Sequence, residues 1–93
     1  MKFGFDPKKS ERNLRERGFD FDFDFAALVF EGETVEWADA RRDYGEVRIV
    51  ATGYVGEHAL TVVYIDRGIV RHIISARIAS RKERREWQAV HGT

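Results

Sequence analysis

The chain has no cysteine, a single proline and no long apolar run, and each absence narrows what it can be. Without thiols there is neither a disulfide framework nor a thiolate metal site. The three histidines, His58, His72 and His91, stand far apart, so no metal site is expected. No stretch approaches the roughly 20 apolar residues of a membrane span, and no signal-peptide run opens the chain, which makes the cytoplasm the expected location. One interior proline, with no repeat, linker or low-complexity tract, argues for a compact body. Ninety-three residues form one domain, 1–93, with a single core and no spacious cavity, so a site must lie on a surface or in a shallow groove.

What the chain has in quantity is charge and aromatic residues. Charged residues make up 34% of it, 16 basic and 16 acidic, for a net charge of zero. The total hides a sorting. Residues 1–17 hold six basic and three acidic groups, residues 18–66 three and eleven, and residues 67–93 seven and two. A fold that joins the two ends makes a basic patch on a molecule whose other surface is acidic, suited to a polyanion on one side only. The plainer reading is that such runs are solvated faces.

The opening Met1–Phe5 alternates and fits a short edge strand. Asp6-Pro7 then offers an acceptor side chain at a helix N-cap and proline at the first helical position, so a helix is expected from there to about Arg17, stopped by Gly18. Lys8, Arg12 and Arg15 form one basic face of it, and Lys9, Asn13 and Glu16 the adjacent one. Leu14 is its only large apolar residue. Phe19 to Phe25 alternates with aspartate as a strand would, yet Phe21, Phe25, Leu28 and Val29 keep helical spacing, and a short helix over about 22–30, capped by Asp22 or Asp24, is preferred. Strands follow at Thr34–Trp37, 47–54, 58–66 and 69–78, the last three joined by short turns at Gly56 and at Asp66-Arg67-Gly68. Ser80 and Glu83 make a capping box that opens a helix over about 81–90. The expected fold class is α+β: two N-terminal helices, a four-stranded antiparallel sheet and a C-terminal helix.

Counting by twos along the last strand places Val70, His72, Ile74, Ala76 and Ile78 on a core face, and Ile69, Arg71, Ile73, Ser75 and Arg77 on an exposed one. On that reading Arg71 and Arg77 share a surface with Ser75, and Arg81, Lys82, Arg84 and Arg85 extend it along the next helix. Guanidinium forks hold phosphate and stay charged, which suits stabilisation of a phosphorane-like transition state. The alternative is that the arginines pair with acids such as Glu36. His72 reads as an interior histidine, Glu83 as a cap that also has a carboxylate to offer as a base, and Trp87 as the residue that seats the last helix.

Three segments together resemble one family. Asp6-Pro7-Lys8-Lys9 with Asn13-Leu14 and Gly18, Asp43-Tyr44-Gly45-Glu46-Val47-Arg48, and Arg71-His72-Ile73-Ile74-Ser75-Ala76-Arg77 with Glu83-Arg84 look like the BrnT proteins, across nearly the whole chain. The resemblance implies a RelE-like fold and a ribonuclease toxin of a type II toxin–antitoxin module that stops translation and is neutralised by a BrnA antitoxin, itself the DNA-binding partner. Two positions depart from the family pattern: Arg17 stands where histidine is common, and Trp87 where tyrosine is.

The chemistry implied by the resemblance is metal-independent cleavage of RNA, without a cofactor, in which the ribose 2′-hydroxyl attacks its own phosphodiester. Arg71, Arg77 and Arg84 are the expected charges around the phosphate, with Glu83 as a further catalytic candidate. Arg12, Asn13, Ser75, Arg81, Lys82 and Arg85 are expected to hold the strand. For the proton carrier the candidates are Lys9, Glu46, Glu83, His58 and His72, with Lys9 preferred because its helix has little else to bury. A non-catalytic RNA- or protein-binding regulatory module is the competing reading.

Overall fold

A computed structural model describes residues 2–17, 22–39 and 45–92, the side chains at 14 and 17 excepted. Gly18, the strand-like start of the Phe/Asp run, and the Asp43-Tyr44 pair lie outside the described residues. The elements run β1 (Lys2–Phe5), α1 (Pro7–Arg17), α2 (Phe23–Ala26) passing into a 3₁₀ turn (Ala27–Glu31), β2 (Val35–Asp39), β3 (Arg48–Val55), β4 (His58–Arg67), β5 (Val70–Ile78) and α3 (Arg81–His91).

The expected four-stranded antiparallel sheet with two leading helices is not what forms. The sheet has five strands in the order β1-β5-β4-β3-β2, and it is mixed, because β1 pairs parallel to β5 from Lys2↔Val70 to Phe5↔Ile73. The chain therefore begins with a strand, and the second helix is a single α turn continued as 3₁₀. The parallel pairing joins residues at opposite ends of the chain, and four residues of alternation carry too little pattern to announce it. What drives it is burial: Phe5 packs edge-on against Phe23, ring centres 5.7 Å apart, and closes the core at that edge.

Local signals act where expected. Asp6 Oδ1 accepts the Lys8 N–H at 2.9 Å and starts α1 on Pro7. Asp22 does the same for α2, accepting from Phe25 N–H at 3.0 Å. Ser80 and Glu83 form the reciprocal capping box of α3, at 3.1 and 2.8 Å. Gly56 and Gly68 turn the two hairpins with φ of 58° and 60°, a left-handed conformation that side chains resist.

One sheet face is covered by α2 and the 3₁₀ turn, and there the core lies: Phe23, Ala26, Val29, Leu60, Val62, Ile73 and Ala76. Each large side chain in it contributes about 2–3 kcal/mol by leaving water. Ile73 and Ala76 are three residues apart, yet both are buried on this face, a spacing a regular strand cannot produce. The cause is a bulge. Val63 pairs with Ser75 and Tyr64 with Ile73, which leaves Ile74 without a partner on β4.

Candidate phosphate-binding cleft

The bulge reassigns the faces of β5. Before it, Arg71 and Ile73 point to the core side; after it, Ser75 and Arg77 point to the opposite side, opposite Val63 and Thr61. Arg71 and Arg77, expected on one surface, are thus on different ones. His72, expected in the core, lies on the side of Ser75 and Arg77 and is half-buried. Two-residue counting fails here because one extra residue inverts every side chain beyond it.

Arg71 is engaged on the core side. Its guanidinium stacks 3.9 Å above the Tyr64 ring and 4.7 Å from that of Phe30. Its Nε and Nη2 bond both carboxylate oxygens of Asp66, at 2.9 and 3.0 Å, and hold that carboxyl below its ordinary range. Burial, and then the hydrogen bond its hydroxyl donates to Glu36, push the Tyr64 phenol upward. The acid that pairs with Arg71 is Asp66, across the hairpin, and not Glu36.

Arg77 meets Glu83 fork to fork, Nη1 to Oε1 at 2.6 Å and Nη2 to Oε2 at 2.8 Å. Burial pushes the Glu83 carboxyl up, but the bonds from Arg77 and from the Ser80 backbone prevail and hold it at about 2. This pair ties the first turn of α3 to the sheet. At the other end Trp87 packs on Tyr54, ring centres 4.8 Å apart, and its Nε1–H donates to Glu33 O at 2.9 Å. No residue of α3 is buried, so these polar and aromatic contacts seat it. Lys82, with Trp37, Arg77 and Glu83, borders a depression of about 440 Å³. Arg81 and Arg85 are exposed on the same helix, while Arg84 faces a separate hollow beside Tyr54 and His58 at the far end of the sheet.

Four of the expected site residues come together elsewhere. Where α1 packs on β5, Lys9, Arg12, Asn13 and Ser75 line a cleft of about 220 Å³, with Glu16, Phe23 and the bulged Ile74. The buried side of α1 is polar: Ser10 and Asn13 are 5% and 7% exposed. Ser10 is satisfied, its Oγ accepting the Phe23 N–H at 3.0 Å. Asn13 is not, because its Nδ2 is buried and has no hydrogen-bond partner among the described residues. An unpaired buried donor costs about 1–3 kcal/mol, so an acceptor oxygen brought against the Asn13 amide would be favoured. Lys9 and Arg12 are exposed at the rim, and Ser75 adds a hydroxyl. A cleft with two cations, a hydroxyl and an orphan amide donor, against one carboxylate, suits a phosphodiester.

Glu46, one of the proton-carrier candidates, is paired with Arg67, which the reading of the sequence did not single out. Arg67 holds Glu46 by two bonds, of 2.8 and 2.7 Å. Glu46 is lowered chiefly by Arg67, with smaller contributions from His72 and Arg48.

Among the described residues no three histidine or acidic side chains are placed to hold a metal, and no helix is long and apolar enough to cross a membrane. A family model described as the ribonuclease toxin, BrnT, of type II toxin–antitoxin systems matches residues 5–83. No curated protein and no solved structure matches the chain.

Proposed function

The chain belongs to the BrnT family of ribonuclease toxins of type II toxin–antitoxin systems, and from that premise we propose that it is a cytoplasmic endoribonuclease that cuts RNA without a metal ion. In doing so it stops translation until a BrnA-like antitoxin binds it. The observation that carries this reading is the meeting of Lys9, Arg12, Asn13 and Ser75 in the cleft between α1 and β5, with the Asn13 Nδ2 left unpaired.

A scissile phosphate seated in the cleft takes hydrogen bonds from Asn13 Nδ2 and Ser75 Oγ and charge from Lys9 and Arg12. Arg77, two residues beyond Ser75 on the same face, adds its guanidinium, aimed by Glu83. Donors fixed before the reaction, where negative charge develops, are worth about 10²–10³ in rate each. The ribose 2′-hydroxyl attacks its own phosphorus and gives up its proton to water, the P–O5′ bond breaks, and the Lys9 ammonium protonates the departing oxygen and is reprotonated from solvent. The products are a 2′,3′-cyclic phosphate and a 5′-hydroxyl. Arg81, Lys82 and Arg85, exposed along α3, guide the strand toward the cleft, while Arg71, stacked and paired on the core side, has a structural part. The antitoxin neutralises the toxin by covering the basic surfaces of α1 and α3 with acidic and apolar residues.

The test is cleavage of bulk RNA by antitoxin-free protein in EDTA, beside Lys9→Ala and Arg77→Lys variants of verified fold. Cleavage by the parent that both variants lose supports the reading. Cleavage that EDTA abolishes, or a folded parent that binds RNA and leaves it intact, overturns it in favour of a metal-dependent enzyme or a binding module.

A further inference from the structure

The cleft between α1 and β5 holds one group that phosphate binding does not explain. Lys9, Asn13 and Glu16 stand at i, i+4 and i+7 on one face of α1, and all three line the cleft. Lys9 brings positive charge and Asn13 an unpaired donor, both suited to an anion. Glu16 is the one carboxylate of the lining. It is exposed, and among the described residues it makes no hydrogen bond or ion pair. A free carboxylate repels a phosphate bound beside it, so Glu16 works against binding and is useful there only in the reaction itself.

Cleavage through the 2′-hydroxyl moves two protons, one off the attacking oxygen and one onto the leaving oxygen. Within the lining, the ammonium of Lys9 can give a proton and the carboxylate of Glu16 can take one. Arg12 stays charged, and the amide of Asn13 and hydroxyl of Ser75 serve as hydrogen-bond donors. Glu46 and Glu83, by contrast, have both oxygens held by an arginine, and neither lines this cleft. The spacing also fits. Seven residues of helix separate the backbones of Lys9 and Glu16 by about 10 Å. In an in-line displacement the acid and the base sit on opposite sides of phosphorus. A hydrogen bond of about 2.8 Å at each end and an approach of about 3–3.5 Å by the attacking atom put them on the order of 10 Å apart. Asn13 lies between them, where the phosphate is held. Helical side chains lean toward the N-terminus, so Glu16 extends over the turn that carries Asn13, and the four-carbon stem of Lys9 lets its ammonium reach the same place from the other side.

We infer that Glu16 is the general base of the cleavage. This rests on the ribonuclease reading above and names the group through which the 2′-hydroxyl proton reaches water. The O2′–H bond breaks as O2′ bonds phosphorus, and the proton passes to a carboxylate oxygen of Glu16. The P–O5′ electron pair leaves with O5′, which takes a proton from Lys9. Water then removes the proton from Glu16 and returns one to Lys9, so protons and charge balance over the turnover.

The experiment uses the full chain freed of antitoxin and two substrates, an RNA oligonucleotide and uridine 3′-nitrophenyl phosphate, whose leaving oxygen needs no proton. Glu16→Gln keeps the length and helix propensity of the side chain and removes its charge and basicity. Its kcat is expected to fall about 100-fold or more on both substrates, while its KM for RNA stays level or falls because the repulsion is gone. Lys9→Ala is expected to lose rate on RNA and to recover most of it on the nitrophenyl ester. A merely solvated Glu16 predicts the opposite sign, a glutamine variant that cuts RNA as fast as the parent or faster, and that result overturns the inference while leaving the ribonuclease reading intact. A loss confined to KM overturns it too, as does a reversal in which the nitrophenyl ester rescues Glu16→Gln and not Lys9→Ala. A folded parent that cuts neither substrate removes both readings.

Discussion

Replacing Glu83 by glutamine tests how the terminal helix is held. The Glu83 carboxyl is held at about 2 against an ordinary 4.5. At about 1.4 kcal/mol per unit, the full difference is a ceiling of about 3–4 kcal/mol. Arg77 is 37% exposed and Glu83 11%, so water screens the pair and a working value is about 1–2 kcal/mol. Because the folded value is depressed, this stability is fully present above the unfolded carboxyl range and is lost as pH falls from about 4.5 toward 2. In a domain of this size each kcal/mol moves the midpoint by about 4–8 °C. Thermal melts followed by circular dichroism should therefore place Glu83→Gln about 4–16 °C below the parent at pH 7, with the gap closing near pH 2.5. Asp66 and Glu46, also lowered, titrate in both proteins and cancel in the comparison. A variant that melts with the parent at pH 7, or a gap that stays constant down to pH 2.5, would refute the pairing as the tie between α3 and the sheet.

Other substitutions follow from the same contacts. Asn13→Ala removes an unpaired buried donor and improves helix propensity by up to about 0.7 kcal/mol, so its melting point should hold or rise while its affinity for RNA falls; a lower melting point with unchanged RNA affinity contradicts the cleft. Gly68→Ala places a side chain at φ 60° and should cost about 1 kcal/mol in urea unfolding, whereas an unchanged midpoint would mean the turn relaxes. Arg71→Lys gives up the stack on Tyr64 and the fork to Asp66 and should lose about 1–2 kcal/mol of stability; a melt indistinguishable from the parent's would show those contacts to be idle.

Much of the fold was legible because its signals are local. Asp6-Pro7, Ser80 with Glu83, and the glycines at 56 and 68 act through hydrogen bonds or backbone angles within a few residues of themselves, and each helix start or hairpin turn stands where those residues place it. The opening residues read as a short edge strand, but their parallel pairing as the fifth strand of the sheet was not legible, because β1 gains its partner from the far end of the chain. Nor was the division of β5. A bulge at Ile74 depends on how β4 and β5 fit over the core, and it separates Arg71 from Arg77 and puts His72 on the same side of the sheet as Ser75. The pairing of arginines with acids was foreseen as an alternative, but the partners, Asp66 and Glu83, follow from the hairpin and the cap. Lys9, Arg12, Asn13 and Ser75 were singled out on chemistry, and their meeting in one cleft was visible only after folding.

The central claim is that this surface cuts RNA with its own side chains. It is tested most directly by incubating antitoxin-free protein with RNA in EDTA and examining the ends produced, alongside folded Lys9→Ala and Arg77→Lys variants. The account predicts cyclic-phosphate and 5′-hydroxyl ends from the parent and intact RNA from both variants. Cleavage that survives in the variants, or that requires a divalent cation, would contradict it.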